Sequence, residues 1–123
     1  MNDFNIYLKK LPNALDQSEQ GVLFYELSKL KSEYEHTHDA LLLDKIDELR
    51  SLVCSHNLRL CAYVAKEYCM KHNRLKDMED INNECVIALQ RAIDDYDLDK
   101  NVSFDVFAHK YMSSHLLNLY LKV

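Results

Sequence analysis

The sequence predicts an all-α protein, folded as a compact bundle of about four to five helices. The chain of 123 residues contains one glycine and one proline, far fewer than the turns of a β-sandwich or barrel require. Apolar residues make up 48% of the chain, which is enough to form one hydrophobic core. Many of these residues recur at intervals of three, four or seven, the spacing of a buried helical face.

The N-terminal part of the chain predicts two helices. The first extends from Phe4 to Lys10 and ends before Pro12, because proline interrupts helical hydrogen bonding. Asp16 or Ser18 has a side chain suited to cap the second helix. The apolar face of that helix carries Leu23, Leu27 and Leu30.

The middle of the chain predicts two longer helices. Asp39 caps the third, which is expected to run without interruption to His72. Its apolar face is formed by Leu49, Val53, Leu60, Val64 and Tyr68. The fourth begins near Asp77 and ends near Tyr96, because the acids that follow are disfavoured at a helix C-terminus. Its apolar face is formed by Ile81, Cys85, Ala88, Leu89, Ala92, Ile93 and Tyr96.

Ser103 is suited to cap a fifth helix, and Asn101 is expected to take a left-handed conformation in the turn before it. One side of this helix carries Phe104, Phe107, Ala108, Tyr111, Met112, His115 and Leu119. A second apolar line is formed by Val106, Leu116, Leu117 and Leu121. The aromatic side is either a buried stripe or, with His109 and Lys110 beside the rings, a surface that stacks an unpaired base.

Several classes of protein are not expected from this composition. No segment approaches the roughly 20 apolar residues of a membrane span, so we expect a cytoplasmic protein whose four cysteines are reduced. The pairs His36-x-His38 and Cys69-x-x-His72 lack the partner pairs of a zinc site. No glycine-rich phosphate loop or nucleophile–base signature is present. We therefore expect no metal, no cofactor and no enzymatic activity.

The charge is unevenly distributed along the chain, whose net charge is −5. Residues 75–99 hold two cations and eight acids, whereas residues 100–123 hold three lysines and one acid. The polar side of the fourth helix is either solvated or a protein interface, since Val86 and Ile87 lie among its acids and amides. Such an acidic surface suits a partner that carries positive charge.

Three blocks together resemble region 2 of the bacterial sigma-70 family, the initiation factors of RNA polymerase. They are "HNLRLCAYVAKEY" (His56 to Tyr68), "EDINNECVIALQRAIDDYD" (Glu79 to Asp97) and "FDVFAHKYM" (Phe104 to Met112). Upstream, "YLKKLPNALDQSEQ" (Tyr7 to Gln20) is similar to region 1.2 of these factors. The resemblance divides the chain into N-terminal helices resembling region 1.2 (1–38) and a region 2-like helical domain (39–123), which form one compact unit.

The resemblance implies two binding surfaces and no catalytic residues. The fourth helix would dock on the clamp helices of the polymerase β′ subunit through Asp80, Ile81, Asn83, Glu84, Ile87 and Arg91. The fifth would recognise and melt the promoter −10 element on the non-template single strand, with Phe107 as the base-stacking ring and Phe104 as a supporting ring. The full DNA-binding set is Phe104, Phe107, His109, Lys110, Tyr111 and Ser114.

The sequence departs from the family pattern in the DNA-binding part. Lys110 and Tyr111 stand in place of a tryptophan pair, and Ser113 and Ser114 in place of arginine and glutamine. A regulatory protein that binds polymerase or a sigma factor, but not DNA, is therefore the alternative function. The sequence ends at Val123 without a region 4. We expect a fragment of a longer factor or a minimal or divided sigma factor, with a second protein supplying region 4 or an anti-sigma factor as a further partner.

Overall fold

The computed structural model describes residues 2–121 and shows six α-helices, a single 3₁₀-helix and no strand within that range. The all-α prediction is thus confirmed. The helices are α1 (Asn2–Lys10), α2 (Gln17–Thr37), α3 (Ala40–His56), α4 (Leu58–Lys71), α5 (Met78–Asp95) and α6 (Phe104–Tyr120). The 3₁₀-helix, Leu75–Asp77, leads directly into α5.

Local side-chain chemistry fixes where α2 begins. Of the two predicted caps, Asp16 is the N-cap, and Ser18 already lies inside the helix. The Glu19 N–H donates to Asp16 Oδ1 at 2.8 Å, and the Asp16 N–H donates to Glu19 Oε1 at 3.1 Å. This reciprocal pair satisfies two backbone donors that a helix start otherwise leaves without partners.

The prediction of one uninterrupted helix from Ala40 to His72 is wrong, because the chain bends at Asn57 between α3 and α4. The Asn57 side chain is buried and donates to Val53 O and to Gln20 Oε1, both at 2.8 Å. An asparagine amide that bonds to a nearby carbonyl competes with helical backbone bonding. The bond to Gln20 on α2 holds Asn57 in this conformation and so favours the break.

The turn between α5 and α6 differs in one detail from the prediction. The helix ends before Tyr96 and the acids lie in the turn as expected, but the described non-glycine residues with positive φ are His38 and Asn73, not Asn101. The Tyr96 hydroxyl instead closes the turn by donating to Val102 O at 2.6 Å. Ser103 caps α6 as predicted, accepting from the Val106 N–H.

A single hydrophobic core connects α2 to α6. The predicted apolar face of α5 lies in this core, with Tyr96 at its edge, and α6 contributes Phe104, Ala108, Met112 and Leu116. The predicted division of α6 into two apolar lines differs from the structure at two residues: Leu116 of the second line lies in the core, and Leu119 of the aromatic side is exposed. Residues four apart on a helix share a face, which places Leu116 below Met112.

Polar contacts join the N-terminal segment to α4 and to α6. Gln20 is buried, accepts from Asn57 and donates through Nε2 to Asp105 Oδ1 at 2.7 Å. The Arg59 guanidinium donates to the Leu11 and Pro12 carbonyls at 2.8 and 3.0 Å. Because a buried polar group left unpaired is costly, the hydrogen bonds of Gln20 fix how α2 sits against the start of α6.

Candidate functional site

Helices α5 and α6 pack against each other in opposite directions. Near the end of α5, the Tyr96 ring lies 5.5 Å from the Phe107 ring, centroid to centroid. Nearer its start, Glu84 Oε1 lies 3.0 Å from His115 Nε2. The two predicted binding surfaces are therefore on neighbouring helices that touch along their length.

A groove of about 410 Å³ lies along this helix pair. It is lined by Arg91, Phe107, Lys110, Tyr111, Ser114, His115 and Asn118. Four of the six predicted DNA-binding residues, Phe107, Lys110, Tyr111 and Ser114, thus line one groove. The volume lies within the range of roughly 300–1,000 Å³ typical of ligand-binding pockets.

The two aromatic rings of the groove are partly buried and held in place. The Phe107 and Tyr111 centroids are 5.8 Å apart, and Phe107 also packs on Tyr96. The Tyr111 hydroxyl donates to Asp95 Oδ2 at 2.8 Å. This hydrogen bond, followed by desolvation, raises the pKa of Tyr111 above its ordinary value. Both rings are therefore partly accessible to a ligand, while their contacts with Tyr96, Asp95 and each other limit their movement.

The groove also contains two cations that are free to bind an anion. Arg91 and Lys110 are exposed, and neither makes an ion pair or a side-chain hydrogen bond within residues 2–121. The other three arginines are occupied: Arg50 by Asp94, Arg74 by Asp77 and Arg59 by backbone carbonyls. Although Arg91 was predicted as a docking residue, its side chain lines the groove.

The remaining two predicted DNA-binding residues lie elsewhere. Phe104 is only 3% exposed and packs against the rings of Phe24 and Tyr96, at 4.6 and 5.2 Å between centroids. It supports the groove from inside and has too little accessible surface to stack on a base. His109 faces α4, where its Nε2 lies 3.1 Å from Glu67 Oε1.

The predicted docking residues separate in a similar way. Asp80, Asn83 and Ile87 are exposed on α5, and Glu84 is partly exposed beside His115. The prediction of Ile81 as a docking residue is wrong, because its side chain is 0% exposed and belongs to the core. Helical spacing had also placed Ile81 on the apolar face of α5, and in the structure the whole side chain is buried on that face.

Several residues at the two surfaces were missed by sequence reasoning. Asn118 lines the groove, as does His115, which was placed on the aromatic side but not in the DNA-binding set. The Arg74 guanidinium lies 4.4 Å from the centroid of the Tyr120 ring at the other end of α6. Asn118 lies three residues after His115, and this spacing would have added it to the aromatic side. The contact of Asp95 with Tyr111 had no such signal, because it joins two helices.

The remaining reactive side chains have structural positions. Cys61, Cys69 and Cys85 are buried, and burial raises the pKa of Cys85 to about 12. Across residues 2–121, no three histidine, cysteine or acidic side chains group together as metal ligands would. No helix in the same range is long and apolar enough to span a membrane.

Comparison with known proteins identifies the family. Residues 53–122 match the family model described as sigma-70 region 2. The match begins near the end of α3 and includes the groove and the exposed face of α5, and it spans more than half of the chain. No curated protein matches the chain. The chain therefore belongs to the sigma-70 family of transcription initiation factors, through a region 2 domain.

Proposed function

We propose that this protein is a sigma-like factor that binds core RNA polymerase through α5 and holds unpaired promoter DNA in the α5–α6 groove. Family membership gives the general role, transcription initiation with RNA polymerase and promoter DNA. We further propose that α5 docks on the β′ clamp helices and that the groove binds the non-template strand of the −10 element. Recognition of that element would include opening of the duplex.

One observation carries the DNA-binding half of the proposal: two partly exposed rings and two unpaired cations line one groove. A base stacked on an aromatic ring contributes roughly 1–3 kcal/mol, and cations beside the ring hold the phosphate. Flipping a base out of a duplex costs a few kcal/mol, which stacking and phosphate contacts together offset. Phe107 is the stacking ring and Tyr111 its neighbour.

The docking half rests on the exposed face of α5. Asp80, Asn83 and Ile87 present a carboxylate, an amide and an apolar side chain to solvent. Residues 78–87, the part of α5 that carries this face, hold three acids and no cation. Complementary charge speeds the encounter with a basic surface, and an apolar centre surrounded by polar groups is typical of protein interfaces.

The alternative function is a regulatory protein that binds polymerase or a sigma factor without binding DNA. It is favoured by the carboxylates of Asp95 and Glu84, which contact the groove residues Tyr111 and His115 and oppose the approach of phosphate. An anti-sigma factor and a second protein supplying region 4 remain predicted partners. Cytoplasmic location and the boundary between the N-terminal helices and the region 2-like domain also remain predictions.

A two-step binding experiment tests the proposal. The full chain is first used to capture core RNA polymerase, and the isolated complex is then titrated with fluorescent single-stranded promoter DNA. Saturable binding that core polymerase alone does not show supports the sigma-like function. Capture of polymerase without DNA binding selects the regulatory alternative in its polymerase-binding form. Failure to capture polymerase contradicts the sigma-like function and leaves only a regulator that binds a sigma factor.

A further inference from the structure

An acid occupies a position beside the groove where two electrostatic effects oppose it. Asp95 is the last residue of α5, and the negative end of the helix dipole disfavours a carboxylate there. It also contacts Tyr111, a wall of a groove that is proposed to bind the phosphate backbone. A carboxylate near that path repels the ligand.

The neighbouring acid shows a different arrangement. Asp94 accepts two hydrogen bonds from the Arg50 guanidinium on α3, at 2.7 and 2.8 Å, so its charge is paired away from the groove. Asp95 has no cationic partner among the described residues, and its one side-chain hydrogen bond is with the Tyr111 hydroxyl at 2.8 Å. Asp95 thus differs from Asp94 in that its side chain bonds to the Tyr111 hydroxyl and not to a cation.

We propose that Asp95 is a positioning residue for DNA binding, which fixes the Tyr111 ring as one wall of the base-stacking groove. The proposal rests on the proposed function of that groove. Asp95 does not contact the base; it acts through the tyrosine hydroxyl. The same carboxylate weakens attraction of phosphate to Arg91 and Lys110, which limits binding that does not depend on stacking.

The physical basis is the cost of ordering a side chain when a ligand binds. Tyr111 is partly exposed: its ring lies 5.8 Å from the Phe107 ring, centroid to centroid, and packs against the edge of the core. Without a partner for the hydroxyl, the ring would sample several orientations, and a base would have to select one of them. The raised pKa of Tyr111 agrees with the contact, since the phenol must keep its proton to donate it.

The test compares Asp95→Asn with Asp95→Ala in the complex with core polymerase. Both substitutions remove the charge, but only asparagine keeps an acceptor for the Tyr111 hydroxyl. We expect Asp95→Asn to bind single-stranded promoter DNA at least as tightly as the unmodified protein. Asp95→Ala should bind about threefold to tenfold more weakly than Asp95→Asn, the range of one hydrogen bond. Equal affinities of the two variants would overturn the proposal.

A second pair of variants separates positioning from a general structural effect. In a Tyr111→Phe background, Asp95→Asn and Asp95→Ala should bind DNA equally, because the hydroxyl is gone. A persistent difference there would contradict the role through Tyr111. Asp99→Asn, which removes an exposed acid of the following turn, serves as the charge control.

A spectroscopic measurement follows the contact itself. In an alkaline titration of tyrosinate absorbance, Asp95→Ala should lower the pKa of one tyrosine, and Tyr111→Phe should remove that same transition. An unchanged titration would overturn the proposal. If the unmodified complex does not bind DNA, the proposed function and this inference both fail. If it binds DNA but Asp95→Asn and Asp95→Ala have equal affinities, only this inference fails.

Discussion

Phe104 and Phe107 lie one turn apart on α6 but serve different parts of the molecule. Phe104 is in the core between Phe24 and Tyr96, whereas Phe107 keeps part of its ring open to the groove. The sequence placed both rings on one face and could not divide that face into core and surface. This division predicts that substitution of Phe107 affects binding and that substitution of Phe104 affects folding.

Replacing Phe107 with alanine should impair DNA binding more than folding. We expect single-stranded promoter DNA to bind the polymerase complex roughly 5- to 150-fold more weakly, which corresponds to about 1–3 kcal/mol of lost stacking. Fluorescence anisotropy measures this, and capture of polymerase should be unchanged. Phe104→Ala is the comparison, since removing a buried ring costs roughly 3–5 kcal/mol of folding stability. If Phe107→Ala also unfolds the protein, the ring belongs to the core.

Arg91 belongs to the groove or to the docking surface, and its substitution separates the two. In the groove, Arg91→Gln should weaken DNA binding and reduce the dependence of log affinity on log salt by about 0.7, the value for one phosphate contact on a single strand. Salt-dependent DNA titrations of the complex provide the measurement. Weaker polymerase capture with an unchanged salt slope would return Arg91 to the docking surface.

At the scale of elements, α5 serves both surfaces at once. Its exposed face carries Asp80 and Asn83, its buried face carries the core, and Arg91 and Asp95 border the groove. Glu84 connects the surfaces, because its carboxylate contacts His115 of the groove. Helical spacing predicted the buried face of α5, but the contacts with α6 follow from how the two helices cross.

Reversing the charge of Glu84 tests the docking surface. Glu84→Lys should weaken polymerase binding by roughly tenfold or more, because a basic partner surface would then face a like charge. Binding is measured by titrating labelled core polymerase, with thermal unfolding as the check on the fold. Glu84→Gln keeps an acceptor for His115 and should have a smaller effect. Unchanged affinity of the lysine variant would count against docking through α5.

At the scale of the whole molecule, folding buries groups that lose protons at high pH. Burial raises the pKa of Cys54, Cys61, Cys69 and Cys85 above the ordinary value of 9.0, and it raises the pKa of Tyr96 and Tyr120 above 10.0. Tyr111 shifts in the same direction through its bond to Asp95. The folded state therefore holds more protons than the unfolded state in this range.

This difference predicts a loss of stability under alkaline conditions. A group whose pKa is raised in the folded state contributes stability that is complete below its unfolded pKa and declines as the pH rises through the folded value. The free energy of unfolding should thus decrease above about pH 9. Urea unfolding under reducing conditions at pH 7.5, about 9 and about 10 measures it. A constant free energy over this range would contradict the burial of the thiols.

Much of the fold was predictable from local chemistry. Asp16, Asp39 and Ser103 cap helices as the sequence indicated, since a cap depends on residues two or three positions away. The apolar face of α5 was also predictable, because one helix period determines it. The break at Asn57 was not, because it depends on Gln20, 37 residues earlier in the chain.

The sequence by itself determined the helical class and the resemblance that the family match supports, and it predicted two chemically distinct surfaces. Only the tertiary structure decided that Phe104 is a core residue, that His109 faces α4, and that the Tyr111 hydroxyl bonds to Asp95. The physical reason is how far apart in the sequence the interacting residues lie. Spacing within one helix determines which side chains share a face, whereas the crossing of neighbouring helices determines what each face meets.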